Sequence, residues 1–91
     1  MNENKDMFSY FDLDNEYQFT EGKSELVTPN TTKVNVININ QTPEMTQTVS
    51  LYSGGFIIYQ EQHADKIVWR TNRPIYQIGD GKFSIESPEQ N

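Results

Sequence analysis

Ninety-one residues, a net charge of −6, 34% apolar content and no cysteine set the first limits. A chain of this size builds one modest core, and without cysteine it has no disulfide, no thiolate metal site and no thiol nucleophile. The opening MNENKDMFSY lacks the basic and apolar regions of a secretory leader, and the longest apolar run, FIIY, falls far short of the roughly 20 residues of a membrane helix, so a non-secreted protein of the cytoplasm or of a virion, with no membrane contact, is expected.

Asn, Gln, Ser and Thr supply 30 of the 91 residues, a share that elsewhere marks disorder. Here the apolar residues recur in short alternating runs, so the polar residues read as the outward faces of strands and the turns between them. The first run is FDLDNEYQF. A turn at Asp14-Asn15-Glu16 would set Leu13 opposite Tyr17 and Phe11 opposite Phe19 on one face of a hairpin. A helix is the rival, because Met7, Tyr10, Phe11 and Asp14 also fit helical spacing; the crowded aromatics favour strands.

Gly22 and Pro29 punctuate the next segment, leaving room for a short strand at Leu26-Val27. KVNVININ follows as the best single strand. Its alternation slips from Val34 and Val36 to Ile37 and Ile39, which predicts partial cover on both faces or a bulge near Val36-Ile37. Pro43 ends it.

SLYSGGFIIYQ predicts a hairpin in one of two registers. A Ser53-Gly54 loop pairs Leu51 with Phe56 and Val49 with Ile58, whereas a Gly54-Gly55 loop pairs Leu51 with Ile58 and Val49 with Gln60. Turn chemistry favours the second; burial of four side chains favours the first, which is preferred. In either register a strand follows the glycines, so the phosphate loop that needs a helix at this point is excluded. EQHAD then reads as a connection, KIVWRT as a strand, and Pro74 as a turn. IYQIGDGKFSI predicts a hairpin on a type I′ Asp80-Gly81 loop, with Ile78 opposite Phe83 and Tyr76 opposite Ile85. The expected fold is all-β: one small antiparallel barrel or sandwich over 1–91, of seven or eight short strands joined mainly by hairpins, with frayed tails at 1–6 and 87–91.

Charge is uneven. Residues 1–25 carry seven acids against two lysines, and residues 66–85 carry four cations against Asp80. Such polarity is usually solvated surface, but it also suits orientation of a partner or of a second copy. Asp12, Asp14 and Glu16 alternate as oxygen ligands for Ca²⁺ or Mg²⁺ would, yet the EF-hand positions for Gly and the last Glu hold Tyr17 and Lys23. No metal or other cofactor is therefore assigned. His63 has Glu61 and Asp65 nearby but no marked nucleophile. Lys66, Arg70 and Arg73 interleave with Trp69 and Tyr76 in the manner of single-strand nucleic-acid binders; the overall acidity opposes that role. Asn30 and Asn40 match the glycosylation pattern by chance of composition.

No catalytic constellation emerges. Strands rich in Thr, Tyr and amides point to a non-enzymatic protein-binding module, a structural or assembly subunit such as a bacteriophage virion component, whose partner is another protein or a further copy of itself in a homo-oligomer. The alternatives are a small acidic inhibitor of a host protein, imitating nucleic acid, and a single-strand nucleic-acid binder. The expected interaction residues are Asp12, Asp14, Glu16, Lys66, Arg70, Arg73 and Tyr76.

Overall fold

In the computed structural model, residues 11–20 and 24–87 are described; Met7, Tyr10, the expected tail 1–6 and all but Ser87 of the expected tail 87–91 lie outside them. Eight strands form among the described residues: β1 (Asn15–Phe19), β2 (Glu25–Val27), β3 (Lys33–Gln41), β4 (Met45–Tyr52), β5 (Ile57–His63), β6 (Ile67–Thr71), β7 (Tyr76–Gly79) and β8 (Lys82–Ser84). They make a five-stranded antiparallel sheet in the order β1-β6-β5-β4-β3 and a three-stranded sheet in the order β2-β8-β7. The expected all-β fold is present in its sandwich form. No barrel closes, because β1 and β3 end the large sheet at opposite sides. The pairing of β2 with β8 is parallel, so a crossover containing the whole of β3 to β7 separates them.

The N-terminal hairpin does not form. Phe11 and Asp12 lie in a turn, with Asp12 at φ 58°, and β1 pairs instead with β6, Tyr17 opposite Trp69 and Phe19 opposite Ile67. The long-range pairing brings Phe19 edge-on to Trp69, with centroids 5.0 Å apart. It also sends Leu13 and Tyr17 into different cores, where the hairpin would have placed them on one face.

Those two cores explain the burial pattern of the central strands. Phe56, Ile58, Trp69, Ile75 and Ile85 pack between the sheets, with Phe19 and Phe83 against them. On the other face of the large sheet, Leu13, Val49 and Tyr59 pack together with Phe11, Leu51 and Ile57. Adjacent residues Val49 and Ser50 are both buried, as are Ile58 and Tyr59, because each neighbour points to a differently covered face.

Three details of the turns differ from expectation. The β4–β5 loop holds three residues, Ser53-Gly54-Gly55, so Leu51 meets Ile57 and Val49 meets Tyr59, a register between the two expected. Gly54 and Gly55 both take left-handed φ, 86° and 88°, which lets the odd loop close. Asn72 latches it: its amide accepts from Ile57 N at 2.9 Å and donates to Gly55 O at 2.8 Å. At the β7–β8 turn only Gly81 has positive φ, so the turn is not type I′. Gly79 pairs with Lys82, a register shift follows, and Gln77 rather than Ile78 faces Phe83. A turn of the wrong twist is corrected by a bulge, and Ile78 is left 44% exposed. Lastly, EQHAD is mostly strand: β5 runs through His63, whose amide donates to Lys66 O at 2.9 Å.

Candidate functional site

β3 is the edge of the large sheet, and all nine of its residues are exposed. Val36 on one face and Ile37 and Ile39 on the other keep 42–47% exposure, so cover on both faces is only partial, and the register shifts fall at Lys33/Asn35 and Asn38/Asn40, not at Val36-Ile37. Val34, Val36, Ile37 and Ile39 stand at 42–62% exposure, and the only other exposed large hydrophobics among the described residues are Tyr76 and Ile78. Those two lie on β7, which ends the small sheet. All exposed large apolar side chains described therefore sit on two sheet edges. Edge strands are commonly guarded by charge or proline; from Val34 to Gln41, β3 has neither. The Val36 amide donates to Asn35 Oδ1 at 2.9 Å, a local substitute for a strand partner.

The seven expected interaction residues are scattered. Glu16 and Arg70 are brought together by the β1–β6 pairing, with Nη1 3.0 Å from Oε1. Arg70 Nε also donates to Leu13 O at 3.2 Å. The acidic and basic segments thus partly neutralise one another within the chain. Asp12 and Asp14 are exposed beside β1, Lys66 and Arg73 are exposed in the loops flanking β6, and Tyr76 lies on β7. Among the described residues no three His, Asp or Glu side chains converge where they could hold a cation. Trp69, the candidate for base stacking, is 2% exposed and committed to the core.

His63 is not a loop residue but the last residue of β5, and it joins a polar network on the Leu13 face of the sheet. Its Nε2 lies 2.9 Å from Glu61 Oε1. The Tyr59 hydroxyl donates to Glu61 Oε2 at 2.6 Å, and Gln47 Nε2 donates to Tyr59 Oη at 2.6 Å. Burial alone would raise the Glu61 carboxyl, but the hydrogen bonds from Tyr59 and His63 outweigh it and hold the group below its ordinary value. Burial, then the bond to Glu61, pushes the Tyr59 hydroxyl well above its ordinary value. The network is a satisfied cross-strand cluster.

No helix among the described residues is long and apolar enough to cross a membrane. No protein-family model, no curated protein and no solved structure matches the chain.

Proposed function

We propose that the chain is a non-enzymatic protein-binding module, an assembly subunit that pairs its β3 edge antiparallel with β3 of a second copy. The observation that carries this reading is the edge left unguarded from Val34 to Gln41: eight exposed residues with four aliphatic side chains on the terminal strand of a five-stranded sheet. Strand addition supplies main-chain hydrogen bonds for affinity and side-chain contacts for specificity. A second copy suits this edge because Val34 to Gln41 is uncharged, so an identical strand meets no like charge. A two-fold antiparallel pairing is also self-complementary and closes after two subunits. Sedimentation equilibrium over a concentration series tests it. A monomer–dimer equilibrium is expected, and a strict monomer at the highest attainable concentration overturns the reading.

A further inference from the structure

β4 and β5 present opposite polar behaviour on their two faces. On the Leu13 face, Gln47, Tyr59, Glu61 and His63 are bonded to one another. On the other face the cross-strand pairs Thr46–Gln62 and Thr48–Gln60 place two hydroxyls and two amides side by side. None of these four side chains makes a hydrogen bond to another described residue. They line a groove of about 550 Å³, walled by Ile67 and Trp69 from β6 and by Glu25 from β2.

A floor of this kind has a definite chemistry. Hydroxyl and amide groups spaced as cross-strand neighbours can each donate and accept, which matches adjacent hydroxyls on one ligand. Glu25 is the only charged side chain among the described lining residues; it accepts from hydroxyls and repels anions, and no described lining residue is a cation that would hold a phosphate or carboxylate. The half-buried Ile67 offers an apolar wall for C–H groups, and the core residue Trp69 lies beside it. The groove lies over the face of β4, β5 and β6, whereas strand addition runs along the outer edge of β3, so strand addition does not fill it. Pockets of this volume with a few convergent polar groups are the size of small-molecule sites.

We propose that this groove binds a small neutral saccharide. Its hydroxyls occupy the Thr46, Thr48, Gln60 and Gln62 positions and one C–H face lies against the half-buried Ile67, with the buried Trp69 behind it. The inference is independent of assembly through β3. Trp69 is the sole tryptophan, so its emission reports occupancy directly. The full chain is titrated with methyl glucoside, methyl galactoside, N-acetylglucosamine and maltose, followed by Trp69 fluorescence and saturation-transfer NMR, with sialic acid and inorganic phosphate as anionic probes. At least one neutral saccharide is expected to bind saturably and both anions to fail. The double variant Thr48→Val, Gln60→Leu should weaken that binding by about tenfold or more, and Gln62→Ala, at an exposed position, should weaken it less while circular dichroism stays unchanged. Absence of binding by every neutral saccharide, equal binding of the anions, or unchanged affinity in both variants overturns the proposal.

Discussion

The Tyr59 hydroxyl donates to Glu61 Oε2 across 2.6 Å, from one β5 residue to the next on the same face. This bond sets a pH window. Glu61 titrates lower in the fold than in the unfolded chain, so its contribution is present above the ordinary carboxylate value of about 4.3 and is lost as pH falls through the folded value. Tyr59 titrates higher in the fold, so its contribution is complete below about pH 10 and is lost as pH rises beyond that. Melting temperature against pH should be flat between these limits and fall on both sides. Tyr59→Phe should cost about 1–2 kcal/mol at neutral pH, make the acid limb shallower and reduce the alkaline one. Tyr52, also raised by burial, keeps part of the alkaline slope. A variant with both limbs unchanged would show that the bond contributes nothing.

The Glu16–Arg70 pair separates charge from capping. Its side chains are 42% and 25% exposed, so the ion pair is screened and Glu16→Gln should cost under about 0.5 kcal/mol. Arg70→Ala should cost more, about 1–2 kcal/mol, because Nε also caps the carbonyl of the fully buried Leu13. Urea denaturation of both single variants and the double variant checks this. Equal losses in the two single variants would assign the effect to charge alone.

At the β4–β5 turn, a Cβ on Gly54 or Gly55 meets nothing within 4 Å, yet both residues have left-handed φ. Backbone conformation alone therefore predicts that Gly54→Ala and Gly55→Ala each cost about 1 kcal/mol. Gly79 lies outside the left-handed region, and a Cβ there meets the Lys82 side chain at an ordinary 3.8 Å. Gly79→Ala should be neutral or stabilising by up to about 0.5 kcal/mol. Thermal melts of the three variants read the difference, and a tolerated Gly54→Ala would refute the backbone argument.

Alternation in the sequence located most of the strands, because polar and apolar residues of one strand face opposite ways. It did not give register. The Ser53-Gly54-Gly55 loop has an odd length that shifts every partner of β4 by one residue from either expected pairing. Asp80 does not take positive φ, and the resulting bulge expels Ile78. The β1–β6 pairing is set by packing of Phe19 on Trp69 over a separation no local pattern records. The same limit hid the groove: Thr46-x-Thr48 and Gln60-x-Gln62 are visible alternations, but only the register places them together. β3 was legible as a strand; its place at the edge was not, because an edge and a covered strand can share one composition.

The edge position of β3 makes the assembly reading separable from folding. Ile37 is 43% exposed and Val36 47% exposed, so a lysine at either position removes little buried apolar surface and should change stability by no more than about 0.5 kcal/mol. In an antiparallel pairing of two identical strands centred on Ile37, a lysine at 37 faces its own copy and a lysine at 36 has its copy on the adjacent diagonal, and like charges so placed are destabilising. Ile37→Lys and Val36→Lys should therefore remain folded by circular dichroism and sediment as monomers where the parent chain dimerises. Ile78→Lys adds the same charge to the other exposed edge, β7, and should leave dimerisation intact. The reverse pattern, with association lost in Ile78→Lys and kept in the β3 variants, would move the interface to the small sheet and refute pairing through β3.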